Sequence, residues 1–211
     1  MTKPSLPNSY RPTFAHAPAS ARSFLLASLT CLSVLCGAGC GDSGMSASDM
    51  ATPVPTGSCN GEQRMVAYEG ATHLPIGTPL SFASNPPASG SHYPTWGTWG
   101  LHTTPLPRGH YVHNAEHGGI VLLYRCDKPC PDVEAALVAV MNSAPQDPTC
   151  VAPVRNRIVI TQDALLDVPV AAMAWQQIYR ASCVDTDALR AFVAAFYDRG
   201  PESLCAQGSV N

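Results

Sequence analysis

The chain has 211 residues, a formal net charge of −3 and only 13% charged residues. It contains no basic stripe and no long run of charge, so nucleic acid is not an expected partner. Length alone allows one or two domains, but the first fifth of the chain lacks the composition of a domain. We therefore expect a single domain of about 150 residues, which is large enough to bury a core.

The N-terminal segment is typical of a bacterial lipoprotein signal peptide. Residues 1–22 carry basic but no acidic side chains, and residues 23–35 form a mostly apolar run. That run has the length of a signal peptide and is too short to span a bilayer. Small residues then precede Cys40, although Gly37 occupies a position where Leu is common. The pattern predicts lipidation, palmitate included, at Cys40.

The chain is predicted to divide into a signal peptide over 1–40, a flexible linker over 41–58 and a domain over 59–211. The linker residues are small and polar, with almost nothing to bury. The lipid anchor predicts membrane attachment in the cell envelope, facing the periplasm or the exterior. Asp42 does not directly follow Cys40, where an acidic residue would argue for inner-membrane retention, so the outer membrane is favoured.

Cysteine usage agrees with an extracytoplasmic location. The chain has nine cysteines. An even set in the predicted domain, behind a secretion signal, indicates up to three disulfides. Position suggests pairing Cys126 with Cys130, and Cys183 with Cys205 around the last helix. The cysteines of the predicted domain are Cys59, Cys126, Cys130, Cys150, Cys183 and Cys205.

Hydrophobic patterns and turn residues predict an α+β domain. A Pro- and Gly-rich segment over 70–109 is expected to be ordered, because it holds tryptophans and histidines. We expect a single small domain, a mixed sheet with two packed helices, and a β-α-β-β-α order after residue 118. The expected strands are 64–68, 118–124, 157–161 and 170–175, and the expected helices begin at Pro131 and at Asp185 or Thr186.

One short stretch concentrates the chemistry of the chain. His113, Glu116 and His117 match, as a string, the H-x-x-E-H motif of inverted zinc peptidases. That motif works on a helix, where residues four apart share a face. Gly118-Gly119 and a strand-like run follow at once, so we expect a turn or strand end here and not a helix. A peptidase is therefore disfavoured, and whether the domain is an enzyme stays open.

Three segments of the chain resemble one bacterial family, catalogued as domain of unknown function 3105. The resemblance covers about residues 64–200 and implies an extracytoplasmic protein, but no reaction. The six cysteines are not part of the family pattern. The segments that carry the resemblance are Pro86-Pro87-x-Ser89-Gly90-x-His92, Val112-His113-x-x-Glu116-His117-Gly118, and Ala174-Trp175.

The histidines of these segments predict a divalent-metal site. Neutral imidazoles are common ligands for zinc and copper. His113 and His117 supply two, and the Pro-Pro loop can deliver His92. Glu116 is expected to be a further ligand or to orient a ring. The alternative is a structural hydrogen-bond network without metal. His102, His110 and Met173 are less favoured as ligands.

A second chemical candidate is the Cys126-x-x-x-Cys130 pair. It follows a predicted strand and opens a predicted helix, as in Sco-like copper or thiol–disulfide transfer proteins, and a helix start lowers thiol pKa. No histidine follows residue 117 to supply the further ligand of such proteins, so a structural disulfide is preferred. A third class is a structural or interaction module of the envelope. Trp96, Trp99 and Trp175 are interpreted as packing residues.

Overall fold

The computed structural model describes residues 59–211. The predicted signal peptide, Cys40 and the linker lie outside these residues. Within them, no helix is long and apolar enough to cross a membrane. The elements in chain order are β1 (Gly61–Met65), β2 (Gly100–Leu101), α1 (Arg108–Glu116), β3 (Ile120–Tyr124), α2 (Pro131–Ser143), β4 (Ile158–Gln162), β5 (Val170–Ala174), β6 (Gln177–Ala181) and α3 (Thr186–Phe196).

The strands form one mixed sheet in the order β1-β6-β5-β3-β4-β2. β4 is parallel to its neighbours β3 and β2. The remaining pairs, β3 with β5, β5 with β6 and β6 with β1, are antiparallel. The predicted α+β class with a mixed sheet in a single small domain is confirmed.

Central strand β3 is buried on both faces, as its continuous apolar sequence predicts. Ile120 and Leu122 point toward a core that includes α2 and α3. Val121 and Leu123 point the other way, toward a core that includes α1. Because successive strand residues alternate between faces, this single strand contributes to two cores. Helix α1 is thereby held on the face opposite α2 and α3.

The predicted order after residue 118 omits one strand. β5 and β6 form a hairpin in which Ala174 pairs with Gln177 across the two-residue turn Trp175-Gln176. Gln176 adopts a φ of 59°, a conformation that Gly or Asn usually supplies in such turns. Because neither residue is present, the sequence carries no turn signal here, and its pattern predicts a single strand through Trp175. The first strand also lies earlier than predicted, at β1 along the exposed sheet edge.

Within residues 59–211 there are three disulfides, which confirm one predicted pairing and correct the other. Cys126 is bonded to Cys130. The predicted pairing of Cys183 with Cys205 is wrong, because each is bonded to a different cysteine. β1 and β6 are antiparallel with Gly61 opposite Ala181, and continuing that register places Cys59 opposite Cys183, to which it is bonded. The third disulfide joins Cys150 and Cys205.

Candidate metal centre

The His113–His117 stretch forms a helix, so the prediction of a turn or strand end is wrong. Helix α1 ends at Glu116 with His117 as its C-cap residue. Gly118 follows at a φ of +79°, the left-handed conformation with which many helices end. The glycine therefore terminates the helix just after the motif instead of preventing it. His113 and His117, four residues apart, share one side of the helix.

Helix α1 is buried on all sides, and tertiary contacts stabilise it. All of its residues after Arg108 are buried. Its Asn114 side chain accepts a hydrogen bond from Gly97 N at 2.9 Å and donates one to Gly97 O at 2.9 Å. The Asn114 amide thus satisfies the backbone N–H and C=O groups of Gly97, as a neighbouring strand would do in a sheet. The same contact holds the segment between β1 and α1, which we call the long loop, against the helix that carries the histidines.

The long loop contributes two more histidines to this side of α1. His73 and His92 form an isolated parallel bridge, with Leu74 N donating to His92 O and His92 N donating to Thr72 O. The bridge places the two rings side by side, with centroids 4.7 Å apart. His92 is fully buried, whereas the His73 side chain is 45% exposed. His73 therefore lies at the solvent side of the site.

Glu116 is the point at which the rings meet. Its Oε2 atom lies 2.9 Å from His92 Nε2, 3.2 Å from His73 Nε2 and 3.9 Å from His113 Nε2. One ligand atom from each of these four residues lies within 4.8 Å of all the others. His117 adjoins the group, with its Nε2 atom 3.1 Å from His113 Nε2. We call the five residues the imidazole cluster.

Two of the rings are oriented by backbone carbonyls outside the cluster. His92 Nδ1 lies 2.8 Å from Gly90 O, and His113 Nδ1 lies 2.6 Å from Tyr93 O. A carbonyl oxygen can only accept a hydrogen bond, so both Nδ1 atoms carry a hydrogen. In a neutral ring, Nε2 then has a lone pair and no hydrogen. The Nε2 lone pairs of His92 and His113 therefore point into the cluster.

This tautomer creates an electrostatic problem inside the cluster. The lone pair of a neutral His92 faces the carboxylate oxygen Glu116 Oε2 across 2.9 Å. Two acceptors at that separation repel each other, and burial makes the repulsion costly because water cannot screen it. The contact becomes favourable when a cation or an additional proton lies between the two atoms. The arrangement is that of metal ligands whose outer nitrogens are oriented by hydrogen bonds.

Burial keeps two of the rings neutral. It lowers the pKa of His113 below its ordinary value, although the hydrogen bond to Tyr93 opposes the shift. Burial, and then the neighbouring His113, lower the pKa of His117 to about 4. Both imidazoles are therefore uncharged at neutral pH, which is the form that binds a metal ion.

Two tryptophans border the imidazole cluster. The Trp96 ring centroid lies 5.1 Å from that of His113 and 4.5 Å from that of His117. Trp175, in the β5–β6 turn, lies 6.2 Å from His92. Trp96 is fixed by a hydrogen bond from its Nε1 to Ala206 O. Both tryptophans therefore pack against imidazole rings of the cluster.

The structure brings all four predicted ligands, His92, His113, Glu116 and His117, into this cluster. His73 was missed, because a lone histidine in irregular chain carries no pattern of its own. The less favoured candidates lie elsewhere: His110 Nδ1 bonds Thr95 O, His102 Nε2 bonds Thr98 O, and Met173 is fully buried in the core.

The predicted thiol pair lies at the opposite end of β3 from the imidazole cluster. Cys130 is the N-cap residue of α2, and its disulfide to Cys126 closes the turn between β3 and α2. Both cysteines are half-buried. The pair therefore occupies the helix start that the sequence predicts, in the oxidised state.

The fold and the site define a class: an α+β domain with three disulfides and a buried cluster of imidazoles around one carboxylate. The chain belongs to a family of proteins of unknown function, DUF3105, whose family model matches residues 73–208. The resemblance seen in the sequence is thus confirmed. The matched range begins at His73 and includes the whole imidazole cluster. No curated protein and no solved structure matched the chain.

Proposed function

We propose that this domain binds a divalent transition-metal ion through His73, His92, His113 and Glu116, with His117 beside them. The carrying observation is the outward donation by His92 Nδ1, which leaves the Nε2 lone pair of the neutral ring 2.9 Å from the buried carboxylate of Glu116. His113 Nδ1 also donates outward, and its Nε2 atom lies 3.9 Å from the same carboxylate oxygen. A structural network would instead place a donor against each acceptor. A metal ion accepts all of these lone pairs at once.

The donor set favours zinc or copper. Imidazole nitrogens suit these ions, whereas calcium and magnesium require mostly oxygen ligands. Three imidazoles and one carboxylate are sufficient for a four-coordinate zinc ion. The three disulfides of the domain also support an oxidising compartment. There, thiols do not dominate the competition for zinc or copper.

We further propose that this metal-binding domain is anchored to the bacterial cell envelope. Residues 1–40 supply the signal peptide, Cys40 the lipid anchor, and 41–58 the linker to the domain. The composition of these segments and the disulfides of the domain support this placement, and the outer membrane is the favoured site. Labelling cells with radioactive palmitate tests it: wild type incorporates label, and Cys40→Ala does not. Equal labelling of both contradicts the anchor.

Elemental analysis tests the metal proposal. Wild-type protein purified from the envelope is expected to contain at least about one zinc or copper ion per chain, and His113→Ala is expected to lose it. His110→Ala is the matched control, since His110 lies on the same helix and also bonds a loop carbonyl through Nδ1. Metal absent from wild type, or retained in His113→Ala at the wild-type level, contradicts the proposal.

The second candidate is Sco-like copper or thiol–disulfide transfer by Cys126 and Cys130. The observation that favours it is the location of this half-buried disulfide at the first turn of α2. Mild reduction should then release these two thiols before the other cysteines, detected by alkylation and mass spectrometry. Simultaneous release of all three disulfides, on unfolding only, would assign the pair a structural role.

A further inference from the structure

Glu116 belongs to two groups of potential metal ligands. It joins His73, His92 and His113 in one group, and His117 and Glu202 in the other. In each group, one ligand atom from every member lies within 4.8 Å of all the others. The hydrogen bonds and ion pairs of Glu116 to the histidines all use Oε2. Oε1 takes part in none of these contacts.

One ion cannot bind every residue of the two groups. Two nitrogen ligands of one zinc ion, each about 2.0–2.1 Å away, are at most about 4.2 Å apart. His117 does not fall within 4.8 Å of every member of the first group. A metal ion at the centre of the first group therefore leaves His117 without a bond to it. His117 instead lies toward Glu202.

Glu202 is held beside the end of α1 by the backbone. Glu202 N donates to Glu116 O at 3.0 Å, so the segment after α3 pairs with the last turn of α1. Gly200 allows this approach, because a Cβ there would collide with Glu116 O. As a result, Glu202 Oε2 lies 3.1 Å from His117 Nε2. The carboxylate is directed to this ring, although its side chain is 54% exposed.

His117 is fixed in place from its other side. Its backbone carbonyl accepts a hydrogen bond from Arg157 Nη1 at 2.8 Å, and its backbone N–H donates to His113 O. The side chain is 3% exposed. Its Nε2 atom therefore points at Glu202 from a rigid backbone, as a ligand of a built site does.

We propose that the imidazole cluster and Glu202 form a two-metal centre in which Glu116 bridges the ions. This inference rests on the proposed metal binding. The first ion takes His73, His92, His113 and Glu116, and the second takes Glu116, His117 and Glu202. In known two-metal sites the ions lie about 3.5–4 Å apart, a spacing that a bridging carboxylate spans.

The two positions differ in access to solvent. The first is enclosed, apart from His73, and four protein ligands complete a tetrahedral ion. The second has three protein ligands, one of which is the exposed Glu202. Water therefore completes the coordination of the second ion, and the bound water is the group that an incoming oxygen ligand would replace. The second ion is the exchangeable one.

Zinc stoichiometry of metal-free protein tests the inference. On equilibrium dialysis against buffered zinc, wild type is expected to bind about two ions per chain, and Glu202→Gln about one. Glu62→Gln, on exposed strand β1, is the matched control and should bind as wild type does. His117→Ala should also bind about one ion. His117 is buried, so this variant can lose stability, whereas Glu202 is exposed and Glu202→Gln should fold as wild type does.

The outcomes separate the two proposals. One ion in both wild type and Glu202→Gln overturns the two-metal centre and leaves the proposed function intact. Two ions in both also overturn it, because the second ion is then not held by Glu202. No bound ion in wild type contradicts both proposals. Cobalt substitution gives an independent readout: paired cobalt ions in wild type should lose electron paramagnetic resonance intensity by magnetic coupling, and Glu202→Gln should regain it.

Discussion

Two clusters of charged side chains, each with a buried centre, adjoin the end of helix α1, and they neutralise their buried charges differently. One is the imidazole cluster. The other, which we call the arginine cluster, consists of Asp147, Arg157, Tyr197 and Asp198. They meet at His117, whose carbonyl oxygen accepts a hydrogen bond from Arg157. Both lie in a sheet protein whose surrounding core is apolar, so each must neutralise its own polar groups.

The arginine cluster is complete by itself. Arg157 contacts Asp147 Oδ2 at 2.9 Å and Asp198 Oδ1 at 2.8 Å. Tyr197 donates its hydroxyl to Asp147 Oδ2 at 2.8 Å and accepts a hydrogen bond from Arg157 N. Each buried acceptor thus faces a donor.

The imidazole cluster lacks this complementarity. His92 and His113 donate their Nδ1 hydrogens outward, so in a neutral ring the Nε2 lone pair of His92 faces the Glu116 carboxylate at the centre of the cluster. A cluster of charged side chains with a buried centre can therefore serve as a structural ion pair or as a binding site. What distinguishes them is whether the protein itself supplies the positive charge.

Removing the cation of the arginine cluster should have the largest effect. Arg157→Met leaves Asp147 buried without its partner and is expected to lower the free energy of unfolding by about 3–5 kcal/mol. Urea denaturation of metal-free protein measures the change. The control is Arg190→Met, which breaks an exposed ion pair with Asp187 and should cost less than about 1 kcal/mol. Similar losses for the two variants would remove the distinction between buried and exposed pairs.

Supplying a cation to the imidazole cluster should have the next largest effect. Zinc at a free concentration of one hundred times its dissociation constant should stabilise wild type by about 2.7 kcal/mol. Glu116→Gln removes the charge at the centre of the cluster and should abolish this gain at the same zinc concentration. Thermal unfolding with and without zinc measures both. An undiminished gain in Glu116→Gln would show that zinc binds elsewhere.

Acid should weaken the arginine cluster through Asp147. Burial alone would raise the pKa of Asp147, but hydrogen bonds from Thr149, Tyr197 and Arg157 outweigh it and lower the pKa to about 2. Because the folded pKa is below the unfolded value of 3.8, the stabilisation is present above pH 3.8 and is lost as pH falls toward 2. About 2 kcal/mol is involved. Asp147→Asn should lose this pH dependence; a profile identical to wild type contradicts the assignment.

Replacing the carboxylate of the imidazole cluster by an amide, as Asp147→Asn does in the arginine cluster, should change the free energy of unfolding least. Any change should be a gain in stability and not a loss. In metal-free protein, Glu116→Gln places an amide donor opposite the His92 Nε2 lone pair and removes a buried charge. We expect its free energy of unfolding to be within about 0.5 kcal/mol of wild type, or higher. Urea denaturation in the presence of a chelator checks this. A loss as large as that of Asp147→Asn would mean that the cluster is an ordinary structural network.

The sequence predicts the elements that have a one-sided or continuous apolar pattern. β3 and β4 are apolar runs, α2 begins with Pro131, and Asp185 caps α3 by accepting hydrogen bonds from two backbone N–H groups. Helix α1 has no such pattern, because it is buried on all sides and contains Gly, Val, Asn and His, which are poor helix formers. Its helical state comes from tertiary contacts that no local rule contains.

The candidate site can be predicted only in part, because local sequence patterns do not show long-range contacts. His113, Glu116 and His117 are adjacent in sequence, and the Pro-Pro segment draws attention to His92. His73 and Glu202 become visible only through long-range backbone pairing, the His73–His92 bridge and the contact of Glu202 N with α1. These pairings depend on the folded loop and tail, which carry no periodicity.

Anomalous diffraction from crystals grown with zinc shows whether the imidazole cluster binds the ion. We expect a zinc peak about 2.0–2.1 Å from both His92 Nε2 and His113 Nε2, with Glu116 Oε2 in the same coordination sphere. The Nδ1 atoms of both rings should keep their hydrogen bonds to Gly90 O and Tyr93 O. Zinc found only at other residues, with His92 Nε2 still in contact with Glu116, would contradict metal binding by the imidazole cluster.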